Sequence, residues 1–200
     1  MTTHSKTNPG PHQGQRIYTA GKPLAEAQAA MILVHGRGAT AVSILELAYE
    51  LHHPEFAYLA PQAAGNTWYP YSFLAPMTQN EPGLTSGLQV VHDLIGQVED
   101  AGIPAEKIVL AGFSQGGAMV LHTGLRFPQR LAGILVLSAY LPLAASLAEE
   151  RAGENDDIPI MLAISLNVVM AYIPTSPRPE KLFLRLFARF FRQTDFLLSR

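Results

Sequence analysis

Short apolar runs alternate with amphipathic stretches along this chain, and this alternation restricts its fold more than any other feature of the sequence. Four runs have the length of a buried strand and end close to glycine, proline or polar residues: 31–34, 56–59, 107–111 and 131–137. Three further stretches carry apolar residues at the spacing of an amphipathic helix: 44–51, 85–101 and 117–125. Strands and helices that alternate in this way are typical of a parallel sheet covered by helices on both faces. The sequence therefore predicts an α/β protein.

The composition excludes several other classes of protein. The 200 residues are 48% hydrophobic and 15% charged, which excludes global disorder and suits a chain with one substantial core. No cysteine is present, so disulfide scaffolds, thiolate zinc sites and cysteine nucleophiles are excluded together. A net charge of −2 argues against a nucleic-acid partner.

The two ends of the chain differ from its middle. Residues 1–15 are polar, contain several glycines and prolines, and lack the apolar segment of a secretory signal, so we expect a disordered leader. The longest apolar stretch, 158–173, has 16 residues, which is shorter than the roughly 20 that a membrane-spanning helix needs. We predict a soluble, cytoplasmic protein with its α/β domain over 16–163 and an atypical segment over 164–200.

One motif carries recognisable chemistry. Residues 112–116 match the pattern G-x-S-x-G, in which a serine lies on a sharp turn between a strand and a helix. The two glycines leave room for the turn, which brings the Ser114 hydroxyl to the carboxyl end of the strand, where parallel sheets bind ligands. The backbone N–H of Gln115 would face a developing oxyanion. A predicted strand before the motif and a predicted helix after it favour a nucleophile over a chance match.

A second glycine-containing turn follows the first predicted strand. In the α/β-hydrolase arrangement, the loop at this place supplies the other oxyanion N–H, and here Arg37 is the candidate donor. The alternative is an ordinary glycine turn without a catalytic role. We interpret His35, at the start of this turn, as a structural residue rather than a base.

The stretch from residue 30 to about 143 resembles the phospholipase/carboxylesterase family of α/β-hydrolases, which includes the acyl-protein thioesterases. The matching segments lie in the family's order: 33–39, 60–62, 66–70, 81–84 and 108–117. The resemblance implies an α/β-hydrolase fold and a serine esterase that needs no metal or organic cofactor. It also implies small-molecule esters or acyl thioesters as substrates. By the same resemblance, Trp68 and Tyr69 lie beside the acyl pocket, although a hydrophobic clamp in a long loop is an equal alternative.

The sequence departs from this family where the catalytic acid and base are expected. In this fold the nucleophile is followed by an acid and then by a histidine, but no histidine follows His122. The family's acid lies in a motif like H-G-x-x-D-x-V-V-P. Here Val168 and Val169 match that motif, while Asn167 stands nearest the place of the acid. The C-terminal part of the fold is therefore expected to be incomplete or altered.

The other histidines and acids offer no convincing replacement. His122 lies eight residues after Ser114 on the same predicted helix, about 12 Å along its axis, which is too far for proton transfer. His92 lies on a different predicted helix, and Asp156 and Asp157 lie in a polar loop that is most simply a surface turn. No triad acid or base is identified.

The charge of the chain changes sharply near its C-terminus. Residues 1–158 carry a net charge of −6 and residues 159–200 a net charge of +4. Four basic residues, spaced as one helical stripe from about residue 178 onward, contribute to this charge: Lys181, Arg185, Arg189 and Arg192. We favour a C-terminal helix packed on the sheet. A basic surface for an anionic membrane or a partner, and a frame-altered translation of the true end, are the alternatives.

Two functional hypotheses follow. The first is a carboxylic-ester or thioester hydrolase by family, with Ser114 as nucleophile and little activity in this form because the acid and base are missing. The second is a non-catalytic hydrolase-fold protein that binds acyl ligands, a membrane surface or a partner. The sequence leaves the oligomeric state open.

The frame-altered alternative makes a direct prediction about the coding DNA. If it holds, one of the other two reading frames past codon 163 encodes H-G-x-x-D followed by a late histidine, because both missing groups lie in that region. Translation of the two frames from the gene sequence checks this. Stop codons throughout both frames would remove the alternative.

Overall fold

The structure is a computed structural model that describes residues 10–51, 53–72, 75–127, 129–139 and 160–163. Six strands are present in these ranges: β1 Ile17–Gly21, β2 Ala29–Val34, β3 Phe56–Pro61, β4 Ile108–Phe113, β5 Gly133–Leu137 and β6 Ile160–Ala163. The α-helices are α1 Ala41–Ile44, α2 Glu46–Glu50, α3 Gly83–Asp100 and α4 Gln115–Arg126. Single 3₁₀ turns occupy Leu24–Glu26, Ala64–Asn66, Met77–Asn80 and Ala105–Lys107.

The strands form one sheet in the order β1-β3-β2-β4-β5-β6. Strand β1 pairs antiparallel with β3 at one edge, and every other neighbouring pair of these strands is parallel. The prediction of a mostly parallel α/β sheet is confirmed. The sequence analysis missed β1, whose residues are alternately exposed and half-buried. An edge strand of this kind contains no apolar run that would reveal it.

Two apolar cores lie on opposite faces of this sheet, because side chains of successive strand residues point to opposite faces. Ile32 of β2 belongs to the core that includes apolar residues of α3 and α4. Its neighbour Met31 belongs to the other core, which α1 and α2 cover. Every residue of β2 is buried as a result, which explains why this strand has a continuous apolar run rather than an alternating pattern.

The long helices match their predicted positions closely. Helix α3 buries residues at three- and four-residue spacings, including Leu88, Val91 and Leu94, against the sheet. The predicted helix over 44–51 differs, because two short helices lie there instead of one. The N–H of Ala48 bonds to the Leu45 carbonyl, three residues back, and this tighter bond marks the junction between them.

The N-terminal segment differs in part from the predicted leader. Residues 10–15 form an ordered turn in which the His12 side chain is 3% exposed. The turn is held because the His12 backbone N–H donates to the Ser86 hydroxyl of α3 at 2.9 Å, and the Gln13 amide donates to the Ser86 carbonyl at 3.0 Å. The prediction of disorder is therefore wrong for residues 10–15, whereas residues 1–9 lie outside the described residues.

The C-terminal predictions also lie outside the described residues. These are the altered motif at 164–170, the helix from about 178 and its basic stripe. The domain boundary at 163 stays a prediction. No helix in the described part of the chain combines the length and the hydrophobicity needed to cross a membrane.

Burial in the sheet predicts which side-chain truncations lower the free energy of unfolding most. Leu110 of β4 is 0% exposed, so Leu110→Ala is expected to lower the free energy of unfolding by about 2–5 kcal/mol through lost burial and the cavity left behind. The control is Lys22→Met. Its ammonium group pairs with Glu55 at 2.7 Å, but both side chains are about a third exposed, so a loss below about 1 kcal/mol is expected. Urea denaturation measures both losses, and equal losses would contradict the burial argument.

Candidate active site

Ser114 lies on a strained turn between β4 and α4. Its backbone has φ 51° and ψ −117°, a conformation that costs a non-glycine residue about 1–3 kcal/mol. The turn is fixed on both sides, because the Ser114 N–H donates to the Leu137 carbonyl at 2.8 Å and the Ser114 carbonyl accepts from Ala118 N–H at 3.1 Å. The Ser114 side chain is exposed at the carboxyl end of the sheet.

The two glycines of the motif are required by the approach of neighbouring main chain. A Cβ atom on Gly112 would overlap the main chain of Gly116. A Cβ atom on Gly116 would overlap the Val34 carbonyl and lie 2.6 Å from the His35 oxygen. The start of α4 therefore packs directly against the end of β2, and this contact holds the serine turn beside the loop that carries Arg37.

Two backbone N–H groups near Ser114 are the predicted oxyanion donors. Gln115 is the first residue of α4, where N–H groups have no intrahelical partner and the helix dipole is positive. Arg37 lies in the turn after β2. Among the described residues, neither backbone N–H donates a hydrogen bond. The two-donor oxyanion hole stays a prediction.

A cavity of about 410 Å³ joins these groups, a size within the range of small-molecule sites. Its lining residues are Arg37, Tyr69, Pro70, Tyr71, Ser72, Ser114, Gln115, Ala118, Ser138 and Ala139. Four of the five predicted site residues are thus brought together around one cavity. Ser138, which follows β5 with φ 52°, also lines it. Nothing in the local sequence around Ser138 indicates this position.

The buried Gln115 side chain has a structural role that sequence reasoning missed. Its Oε1 accepts the Trp68 backbone N–H at 2.9 Å, and its Nε2 donates to the Tyr69 carbonyl at 2.8 Å. Gln115 therefore holds the loop between β3 and α3 against the start of α4. The only sequence signal for this role is its position beside the serine.

Trp68 and Tyr69 have different positions. The Tyr69 ring forms part of the cavity wall, and burial raises the pKa of its hydroxyl to about 12 although the nearby Arg37 guanidinium opposes the shift. The prediction that Trp68 contacts substrate is wrong for this structure, because Trp68 is 0% exposed and lies outside the cavity lining. Its indole N–H donates to the His35 carbonyl at 2.9 Å, so it acts as the clamp that the sequence analysis kept as the alternative.

The Arg37 side chain is also part of the site. Its guanidinium donates to the Pro70 carbonyl at 2.6 Å and to the Tyr71 carbonyl at 2.5 Å. It is the only charged side chain among the described residues that line the cavity. The sequence analysis used only its backbone N–H, yet its side chain fixes the far end of the same loop.

The structure brings no histidine of the described ranges into a base position beside Ser114. Both ring nitrogens of His35 are bonded to backbone groups, to the Gly36 oxygen at 2.8 Å and to Ala63 N–H at 3.1 Å, which agrees with a structural role. The His92 ring stacks on Phe127 with a 4.1 Å separation of ring centroids. His122 is buried on α4, two turns after the serine.

Comparisons with known proteins decide the family. Residues 17–166 match the family model described as Phospholipase/Carboxylesterase. The chain belongs to this family. Acyl-protein thioesterase 1 of Yarrowia lipolytica is 33% identical over 152 residues, a match that covers 68% of this chain and 67% of that protein. Acyl-protein thioesterase 1 of Neurospora crassa is 45% identical over 87 residues.

Solved structures of the family agree on the fold. The phospholipase/carboxylesterase from Dyadobacter fermentans superposes with a TM-score of 0.70 at 38% identity, covering 78% of this chain and 74% of that one. The prediction of an α/β-hydrolase fold is confirmed. The match to the Neurospora crassa relative covers 42% of this chain and only 36% of that protein. The chain thus spans between about a third and two thirds of the curated relatives described here.

The glycine contacts predict opposite effects of two identical substitutions. Gly116→Ala places a methyl group against main chain that cannot yield, so we expect destabilisation by about 1–3 kcal/mol or more. Gly96→Ala, on α3, meets nothing within 4 Å, and alanine's better helix propensity is expected to stabilise the protein by up to about 1 kcal/mol. Urea denaturation of the two variants checks the signs. An unchanged free energy of unfolding for Gly116→Ala would show that α4 can shift away from β2.

Proposed function

We propose that this phospholipase/carboxylesterase family member is a hydrolase of carboxylic esters or thioesters that uses Ser114 as its nucleophile. One observation carries the proposal: Ser114 lies on its strained turn at a cavity where the Gln115 and Arg37 backbone N–H groups have no partner among the described residues. The relatives named acyl-protein thioesterases support this substrate class.

The proposed reaction has two steps. The Ser114 oxygen attacks the acyl carbon, its proton is transferred to a base, and the resulting oxyanion accepts hydrogen bonds from the Gln115 and Arg37 N–H groups. Collapse of this intermediate expels the alcohol or thiol, which takes up the proton removed from Ser114, and leaves an ester on Ser114. Water then hydrolyses this ester to the carboxylic acid and restores the Ser114 hydroxyl. Each oxyanion donor is expected to contribute about 2.7–4 kcal/mol of transition-state stabilisation.

The acyl group fits the apolar part of the cavity in this proposal. Tyr69, Ala118 and Ala139 provide apolar surface beside Ser114. The acyl chain length stays open. The cytoplasmic location and the small-molecule ester substrate stay predictions.

A second candidate function is an acyl-binding protein with little turnover. It is favoured by the bonding of the histidine nearest the oxyanion loop, since both ring nitrogens of His35 are occupied by backbone partners. A serine hydrolase without its histidine loses about 10⁶ in kcat and keeps roughly 10³–10⁴ over the uncatalysed rate from binding and the oxyanion hole. Slow turnover is therefore expected if this second function holds.

Labelling with a fluorophosphonate tests the proposal, because this reagent phosphonylates serines that are activated as nucleophiles. We expect one labelled site, Ser114, and no labelling of Ser114→Ala. Ser43→Ala is the matched control, since Ser43 is an exposed residue of the Thr40 cap of α1, and its labelling should equal that of the wild type. Peptide mapping by mass spectrometry identifies the site.

Two further results distinguish the two candidate functions. Hydrolysis of a p-nitrophenyl acyl ester above the Ser114→Ala background supports the hydrolase. A folded protein that binds fatty acid saturably, but is neither labelled nor able to hydrolyse the ester, would overturn it in favour of the acyl-binding protein.

A further inference from the structure

Trp68, the only tryptophan of the chain, lies between two buried histidines. Its ring is 5.2 Å, centroid to centroid, from the imidazole of His12 and 5.2 Å from that of His35. His12 belongs to the N-terminal turn and His35 follows β2, so the two imidazoles reach the indole from different parts of the chain. We call His12 and His35 the histidine pair.

Backbone partners fix the protonation state of the histidine pair. His12 bonds through Nε2 to the Trp68 carbonyl at 2.8 Å, so this nitrogen carries the proton, and its Nδ1 accepts Ala64 N–H at 3.1 Å. His35 has the opposite arrangement, since Nδ1 donates to the Gly36 oxygen and Nε2 accepts Ala63 N–H. Each ring is therefore neutral and has one lone pair that faces a backbone N–H group.

We infer that the histidine pair is a proton-sensitive latch that positions the cavity wall: neutral His12 and His35 hold the loop from Ala63 to Tyr69 closed, and their protonation releases it. A second proton on either ring would convert its acceptor nitrogen into a donor that faces an N–H donor. Neither ring can accept that proton without losing the bond to Ala63 or Ala64, so the loop must move away.

The electrostatic surroundings favour the neutral rings. Burial lowers the pKa of both imidazoles below their ordinary value, and repulsion from His12 contributes to the shift at His35. The Arg37 guanidinium donates to the Pro70 and Tyr71 carbonyls, and the Glu81 carboxylate accepts from the Thr85 backbone N–H and hydroxyl of α3. Among the described residues, no carboxylate is hydrogen-bonded to either ring to compensate a positive charge.

The sign of the pH dependence follows from these lowered pKa values. Above about pH 6.5 the rings are neutral in both folded and unfolded chains, so their contribution to stability is complete. Below that pH the unfolded chain binds protons first, and the contribution falls until each folded pKa is reached. The loop is therefore closed at neutral pH and opens in acid.

The latch acts on the active site through Trp68 and its neighbour. The Trp68 N–H donates to Gln115 Oε1 and its indole N–H donates to the His35 carbonyl, while the Tyr69 ring forms the cavity wall. Movement of this loop would displace Tyr69 and free the Gln115 side chain. This catalytic consequence rests on the proposed function, whereas the opening of the latch does not.

The first test is a pH titration of Trp68 fluorescence in the full chain, with far-UV circular dichroism as a check on the fold. In the wild type, acidification below about pH 6.5 is expected to shift the emission to the red while the dichroism is unchanged. The steepness of the emission curve is expected to report the uptake of about two protons in this transition. His12→Gln and His35→Gln stay neutral, and each should reduce the uptake to about one proton. The double variant should show no shift, and His92→Gln, whose ring stacks on Phe127, should behave as the wild type.

Three results would overturn the latch. One is a double variant that keeps the wild-type shift. A second is a wild type whose histidine ¹⁵N resonances show both rings neutral through the emission change, a measurement that needs no variant to fold. A third is an emission change that follows the loss of dichroism in every variant, since such a change reports unfolding alone.

Fluorophosphonate labelling separates the latch from the proposed function. If both the latch and the hydrolase hold, the rate of Ser114 labelling in the wild type falls over the same pH range as the emission shift. In the double variant the labelling rate does not fall over that range. Ser114→Ala should keep the full emission transition. An emission transition without labelling at any pH would contradict the hydrolase and leave the latch supported.

Discussion

The close packing of main chain around Ser114 is the constraint on which the rest of the site depends. Gly116 lies against the Val34 carbonyl, Gly112 lies against Gly116, and the Ser114 N–H bonds to the Leu137 carbonyl. These contacts fix the carboxyl ends of β2, β4 and β5 relative to one another. The position of the serine, the direction of α4 and the approach of the oxyanion loop all follow from this packing, because no side chain could fit between the segments.

The loop between β3 and α3 is irregular, and its buried backbone groups need partners that a sheet or helix would otherwise provide. Side chains provide them here. Gln115 bonds to the main chain of Trp68 and Tyr69, and the histidine pair bonds to the N–H groups that begin the loop. Polar side chains that are buried in this region therefore act mainly on the backbone. Two of them are titratable, which makes the shape of the cavity wall sensitive to protons.

The sequence predicts those parts of the molecule whose pattern is local. The apolar runs of the parallel strands, the spacing of α3 and the serine motif each lie within about twenty residues, and the structure has them where expected. The missed parts depend on distant partners: β1 pairs with β3, and His12 reaches Ser86 across 74 residues. Trp68 shows the same limit. Its place in the sequence is compatible with both a substrate contact and a hydrophobic clamp, and only its position in the folded structure decides between them.

In the proposed function, binding of the acyl group depends on contacts that are separate from those needed for proton transfer. The strain at Ser114, about 1–3 kcal/mol, is balanced by the packing of glycines and by hydrogen bonds to Leu137 and Ala118, and none of these contacts involves a base. The proposed oxyanion donors and the cavity wall likewise belong to the turn after β2, to α4 and to the β3–α3 loop. A chain that lacks the base therefore keeps the geometry that is proposed to bind an acyl group. The two candidate functions differ by one proton acceptor and not by a different fold.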